Sequence, residues 1–511
     1  MRAIELVGGA DLPGVGCPVL VGLFGGEDAA AIAGHGADAI LRRQGIDVAG
    51  LAARQLGFSG AVGQSLRLVV STPDGAPATF IVVGLGARRD LDAAALRDAS
   101  ARAAHDIRLT RFATTLALEL DDSESAVRAV VEGIGLGGYR YQAAARPDSD
   151  ARQARHGAGD EGATALVVVA DEVADAVVPR ARAATDAANW VRQLVETPSS
   201  ALGPAEFAAA IVAYADDVAG SAVAVSVWSP EQLRERGFAG TLGVGAGSDR
   251  SPCVVELRTA GVGEPIALAG KGITFDSGGI NLKKDPTELA WMKSDMAAGA
   301  AVAAAVITAA ALGARVPMTA LVPVAENMPG GGALRPGDVL THPNGRTSEV
   351  VDTDCEGRLV LADAIAWLAG TAPRAIIDVG TLTDSGGVGP ALWGCWSTAP
   401  ALGAAMVDAG ARAGEPGWLL PLHPSYTALL PSHVADAANA PSDVADSGQL
   451  AATFLRPFAG STPWLHIDNG SCAYLEYDFS PWPTGATGSP TRALVEFLCG
   501  LAIDDVFAST T

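Results

Sequence analysis

The chain has 511 residues, 49% hydrophobic and 18% charged, which is ample for buried cores and long for a single one. Its 57 acids outnumber its 35 bases, for a formal net charge of −22, and so exclude the clustered Lys and Arg of a nucleic-acid groove. Six cysteines (17, 253, 355, 395, 472 and 499) are scattered without a CxxC pair, a pattern of a reducing compartment rather than a disulfide framework.

The N-terminus carries Glu5 and Asp11 and no long apolar core, so it does not read as a signal peptide. Later apolar runs are broken by Gly, Pro or charge before they could span a bilayer. A cytoplasmic protein without membrane attachment is expected. Strands are predicted at 18–24, 66–71, 79–86, 114–120 and 164–171, with helices over 91–107 and 124–139 between them. Such alternation implies an α/β unit with a largely parallel sheet. Residues 144–163 are polar and Gly-rich and read as a mobile excursion. A long helix then runs to a stop at Thr197-Pro198. It divides the chain into an N-terminal α/β domain (1–170), a connecting helix (171–200) and a larger C-terminal domain (201–511). The expected fold of that larger part is a central mixed sheet flanked by helices. Its predicted elements are a helix at 204–218, strands at 222–228, 252–258 and 265–270, a small-residue helix at 296–313, a strand at 316–327, a helix at 358–370 and a strand at 375–384. The Gly-rich stretches 133–138 and 243–248 lack the strand-to-helix context of a nucleotide loop and read as turns.

Two clusters carry the chemistry. The first, KGITFDSGGINLKKDPTELAWMKSD (271–295), holds Lys271, Asp276, Lys283, Lys284 and Asp295. The second, DTDCEGRL (352–359), holds Asp352, Asp354, Glu356 and Arg358. Acids at alternate positions share one side of an extended chain, and the apolar flanks place this row at a strand's C-terminal end, where open α/β sheets bind ligands. Asp276 ends another apolar strand, and Asp295 opens the small-residue helix. Such acids repel one another unless cations lie between them, and hard oxygen donors suit a pair of divalent metals. No histidine falls in either cluster, and HExxH is absent. Lys271, within an apolar strand, could ligate a metal when neutral or pair with the carboxylates when charged. Lys283 and Lys284 could reach a substrate oxygen, and Arg358 could hold a small anion.

GKGITFDSGGINLK, WMKSDMAAGAA and DTDCEGRLVLADA resemble the signature segments of the leucyl aminopeptidase family, the dinuclear-metal cytosolic aminopeptidases. ENMPGGGALRPGDVL (326–340) and IIDVGTLT (376–383) resemble its intervening segments, in order. The resemblance implies a hydrolase that removes N-terminal residues from peptides or amino-acid amides with two divalent ions, Zn or Mn. It implies metal ligands Lys271, Asp276, Asp295, Asp354 and Glu356. One exchangeable ion would take Asp276, Asp354 and Glu356, and a tighter one Lys271, Asp276, Asp295 and Glu356. Lys283 would polarise the scissile carbonyl, Arg358 would hold a bicarbonate acting as general base, and subunits would form a homohexamer of two trimers.

Several residues depart from the family pattern. Asp352 replaces a usual Asn, and either adds a carboxylate beside the metals or points away and pairs with a base. Cys355 replaces Ala and reads as a small core residue. The substrate pocket, expected from Met292, Thr381, Leu382, Asp384, Gly470 and Ala473, carries Asp384 where Gly is usual. It should be roomier, more polar and acidic, favouring a polar or basic first residue. A specialised dipeptidase or amide hydrolase acting on a peptide-like metabolite is the alternative. If Asp384 turns away, the change is neutral.

Overall fold

The computed structural model describes residues 3–8, 17–25, 31–33, 47–48, 57–71, 75–106, 111–143, 164–170, 172–479 and 482–500. The expected excursion at 144–163 lies outside the described residues. The chain forms two compact units, Met1–Asp186 with Asp478–Pro483, and Ala187–Tyr477 with Thr484–Thr511. The first division falls inside the helix Val177–Glu196.

The first unit is built on a seven-stranded sheet. Its strands follow the order Ala3–Gly8, Thr164–Val169, Arg111–Thr114, Val19–Gly25, Pro77–Gly84 and Ser65–Ser71, with Ala31–Ala33 beside Val19–Gly25. Val19–Gly25 and Thr164–Val169 are apolar throughout their middle because both faces are covered. Ser65–Ser71 instead alternates exposed and half-buried residues and lies at the edge. Helices Ala93–Asp106 and Ser123–Gly137 pack closely, since a Cβ on Gly137 would fall 1.8 Å from the Ala101 carbonyl oxygen. The strand expected over 114–120 is not there. Pairing stops at Thr114, whose Oγ1 accepts the Leu116 amide at 3.2 Å, and Leu116–Glu119 forms a 3-10 turn.

The second unit holds a nine-stranded mixed sheet. Four parallel strands form its centre, Trp464–Asp468, Ala375–Gly380, Ile266–Gly270 and Met318–Asn327, with antiparallel neighbours on both sides. The C-terminal ends of these four strands present Asp468, Thr381, Lys271 and Asn327 along one edge. A short strand, Gly272–Asp276, continues beyond Lys271 and pairs Asp276 with Asn327. The two-part α/β fold with a mixed catalytic sheet is thus as expected. Sequence periodicity did not reveal the strand Trp393–Ser397 or the helices Pro400–Ala413 and Thr491–Gly500.

The helix Ala297–Ala311 is buried on nearly every face. With the turns before it, the run Pro286–Ala311 is long and apolar enough to cross a membrane by composition, but 89% of its apolar window is buried inside the protein. It reads as a core helix. Small side chains let it approach the sheet closely enough for the Gly299 amide to donate to the Lys271 carbonyl at 2.7 Å.

Candidate metal centre

Each cluster residue is fixed by backbone geometry that its neighbours dictate. Asp276 ends its strand, and its Oδ1 accepts from Asn327 Nδ2 at 2.8 Å and from the Gly278 amide at 2.9 Å. The chain then reverses through Gly278 and Gly279, at φ +87° and +66°. A Cβ at Gly278 would also lie 2.8 Å from Asp354 Oδ1, so only glycine admits both the turn and the approach. Thr353 closes the turn by donating to the Gly278 carbonyl and accepting the Asn281 amide. Lys283 leaves this turn and places its Nζ 2.9 Å from Asp276 Oδ2 and 2.6 Å from Asp354 Oδ1.

Lys271 lies on the other side of the cluster. Its Nζ is 2.7 Å from Asp295 Oδ1 and 2.8 Å from Glu356 Oε1, and it donates to the Thr381 carbonyl at 2.7 Å. Thr381 Oγ1 donates to Asp295 Oδ1 at 2.6 Å. Gly357 opens the helix Gly357–Ala369 directly against the Lys271 stem, where a Cβ would meet Lys271 Cε at 2.5 Å.

The acids at 352–356 are not an extended row. They form a turn leading into the helix, and Glu356 is already in the αR region at its N-cap. Asp352 does not join the cluster, because its Oδ1 accepts the Asp354 amide at 2.9 Å. The added carboxylate therefore organises the turn. Asp354 and Glu356 nevertheless converge, and donor atoms of Asp276, Asp354 and Glu356 lie within 4.8 Å of one another.

This crowding is costly for charge. Burial, joined by repulsion from Asp276 and Glu356, pushes the Asp354 carboxyl up to about 7 against the pull of Lys283. Burial likewise raises Asp295 and Glu356. Burial opposes the Lys271 ammonium, but Asp295, Glu356 and Asp276 outweigh it and hold the group above the ordinary lysine range. Asp295 Oδ2 is buried without any hydrogen-bond partner. An orphaned carboxylate oxygen beside converging acids fits a divalent cation, which would take hard oxygen donors and relieve their repulsion.

The cluster opens into a cavity of about 430 Å³ that also receives Met292, Thr381, Leu382, Asp384, Gly470 and Ala473. Every predicted pocket residue thus shares one space with Lys271, Asp276, Lys283, Asp295 and Asp354. Lys284 is exposed and does not line it. Asp384 is exposed in the cavity and, among the described residues, makes no ion pair or side-chain hydrogen bond. Arg358 is buried; its Nη1 donates to the Asn439 carbonyl at 2.7 Å and to Asp446 Oδ1 at 3.1 Å, and its Nη2 pairs with Asp446 Oδ2. Cys355 is half-buried, with its Sγ 3.5 Å from Asp446 Oδ2.

Sequence reasoning missed the groups that hold these parts in place. Asp468, fully buried, accepts from Thr383 Oγ1 at 2.5 Å and from the Gly470 amide at 2.9 Å, joining both walls of the pocket. It ends the apolar strand WLHID as Asp276 ends GITFD, and that shared signal could have exposed it. Asn439 accepts the Val351 and Asp352 amides and donates to the Asp352 carbonyl, fixing the acid turn from 87 residues away. His342 and His466 bond to Asp363 and Asp378 in the core, away from the cluster.

Known proteins resemble this chain over most of its length. The catalytic domain of the cytosol aminopeptidase family matches residues 189–495, and that family's N-terminal domain matches 27–146. A probable cytosol aminopeptidase of Streptomyces coelicolor is 38% identical over 462 residues, covering 86% of this chain and 87% of the relative. Another, from Micrococcus luteus, is 39% identical over 454 residues, covering 84% and 86%. The solved bottromycin maturation enzyme BotP in complex with Mn superposes with a TM-score of 0.79 at 33% identity, covering 94% of this chain and 99% of that one. The chain belongs to the cytosol aminopeptidase family, and is a peptide hydrolase of the aminopeptidase class.

Proposed function

We propose that the cavity is a two-metal aminopeptidase site, and that Asp276, Asp354 and Glu356 hold one ion while Lys271, Asp276, Asp295 and Glu356 hold the other. The observation that carries this is the convergence of three carboxylate donors within 4.8 Å beside a buried, unpartnered oxygen of Asp295. Mn is the first candidate, since it is bound by the BotP neighbour, and Zn is the second. Divalent ions held by these carboxylates would polarise a carbonyl oxygen and would lower the pKa of a water towards about 7.

The chain's own residues supply the rest. Lys283 directs its ammonium into the cavity beside Asp276 and Asp354, where it can stabilise negative charge developing on the scissile carbonyl oxygen. Met292, Leu382, Gly470 and Ala473 receive the side chain of the first residue. Asp468 holds the two pocket segments in register. The names of the relatives support a cytoplasmic location, and the family resemblance supports a homohexamer; sedimentation would measure that assembly. The site is tested by stripping the protein of metal, adding back Mn²⁺ or Zn²⁺, and following both bound metal and cleavage of an aminoacyl-amide panel. Two ions per subunit with restored N-terminal cleavage is the expected result. A protein that takes up no divalent ion would sink the reading.

A second reading is favoured by Asp384. A carboxylate without an ion pair in the pocket favours a cationic or polar first residue, or a dedicated peptide-like metabolite. The BotP neighbour is itself named as a maturation enzyme. Asp384→Gly should lower the preference for arginyl and lysyl over leucyl substrates, and an unchanged ranking would refute the role.

A further inference from the structure

The guanidinium of Arg358 is where the family resemblance places a dissolved bicarbonate. In this chain the same fork already holds a carboxylate. Nη1 and Nη2 both engage Asp446, one oxygen each, and Nη1 also donates to the Asn439 carbonyl. Carboxylate and bicarbonate present the same planar O–C–O edge to a guanidinium, so they compete for one seat. Bicarbonate could not take those two Nη groups while Asp446 stays in place.

The segment that carries Asp446 is anchored beside the acid turn through Asn439. Asn439 is bonded through its side chain to the backbone of Val351, Asp352 and Cys355. Asp446 Oδ2 lies 3.5 Å from Cys355 Sγ, between the candidate ligands Asp354 and Glu356 in sequence. The carboxylate thus sits against the turn that carries them. The Arg358 side chain is 1% exposed but that of Asp446 is 27% exposed, so the pair is anchored on the protein side and open to water on the other.

We propose that Asp446 is a built-in replacement for the dissolved anion, seated on Arg358 and acting as proton acceptor for the attacking water. This rests on the hydrolase reading above. In the step, a water proton passes to a carboxylate oxygen of Asp446 while the water oxygen's electron pair forms the bond to the scissile carbonyl carbon. The carbonyl π pair moves to its oxygen. On collapse the C–N bond breaks, its electron pair goes to nitrogen, and the leaving amine takes the proton back from Asp446. One water is consumed and the carboxylate is regenerated. Arg358 acts by positioning Asp446.

The test compares wild type, Asp446→Ala and Asp446→Asn, all metal-loaded, in carbonate-free buffer and with millimolar bicarbonate. Wild-type rates should be indifferent to bicarbonate. Asp446→Ala should lose about 100-fold or more in kcat, the usual scale of a general base, and recover about tenfold or more when bicarbonate enters the vacated fork. Asp446→Asn keeps one acceptor oxygen on the fork but cannot take the proton, so it should lose rate and be rescued less by bicarbonate than Asp446→Ala. Carbon-13 bicarbonate followed by NMR should give a bound signal with Asp446→Ala and none with wild type. Bicarbonate stimulation of wild type, a wild-type rate for Asp446→Ala without carbonate, or rate loss with no anion uptake would each overturn the proposal. If metal-loaded wild type cleaves nothing, the hydrolase reading fails instead, and the NMR titration still decides what Arg358 holds.

Discussion

Replacing Lys283 by alanine separates two jobs of one ammonium. Its Nζ stands 2.9 Å from Asp276 Oδ2 and 2.6 Å from Asp354 Oδ1. At an effective dielectric of about 20, each contact is worth roughly 6 kcal/mol before desolvation is subtracted. Removing one partner of a buried pair typically costs about 3–5 kcal/mol, and the 31% exposure of the Asp354 side chain places this case near the lower end. Metal-stripped Lys283→Ala should therefore be about 3 kcal/mol less stable than stripped wild type. Adding Mn²⁺ brings positive charge to the same carboxylates, so most of that gap should close. Activity should not return with it. A missing donor at a developing oxyanion lowers kcat by about 10²–10³ with KM little changed. The assay pairs denaturant unfolding with and without metal against steady-state kinetics on one aminoacyl amide. A fully metal-loaded variant with wild-type kcat would refute the placement of Lys283 on the reacting carbonyl. A stability gap that metal leaves untouched would refute the electrostatic account.

Three further outcomes test the surroundings. Asp352→Asn should leave metal affinity unchanged in equilibrium dialysis, because its oxygen serves the Asp354 amide, a bond an Asn carbonyl can also make. Arg492→Ala should lower unfolding free energy by about 3–5 kcal/mol in a urea titration, since it strips the buried Glu415 of its cation and removes donors to the Ala413 and Gly414 carbonyls. Burial pushes the Asp186 carboxyl from 3.8 to about 6, so the folded chain holds that proton more tightly than the unfolded chain. Its stability contribution is intact below the unfolded value of 3.8 and is lost as pH rises to about 6. Asp186→Asn should gain on the order of 1–2 kcal/mol at neutral pH and nothing at pH values below that unfolded value.

The convergence of Lys271, Asp276, Lys283 and Asp295 was legible because its signals are local. Apolar strands that end in an acid, a Gly-Gly reversal and a helix of small residues are each written within a few positions. The acid turn at 352–356 was misread as extended because alternation of acids fits a strand and a tight turn equally well. Its true shape depends on Asn439 and on the Glu356 N-cap. The partner of Arg358 was hidden for a related reason: Asp446 lies 88 residues away in a polar stretch with no periodicity to mark it. At 114–120, residue pattern alone favoured a strand, and only the end of the neighbouring ladder shows why the chain turns at Thr114.

The close seating of the helix Ala297–Ala311 bears on how this enzyme can diversify. A side chain at Gly299 would begin 2.8 Å from the Lys271 carbonyl oxygen and 2.8 Å from Val322 Cγ1. Substitution there presses directly on the backbone of a candidate metal ligand. Inherited variation that survives selection is then steered away from this helix and towards the segments around 381–390 and 470–477, where Asp384 and Tyr477 are exposed. A lineage can explore new substrates through those two segments while the seat of this helix against Lys271 stays fixed.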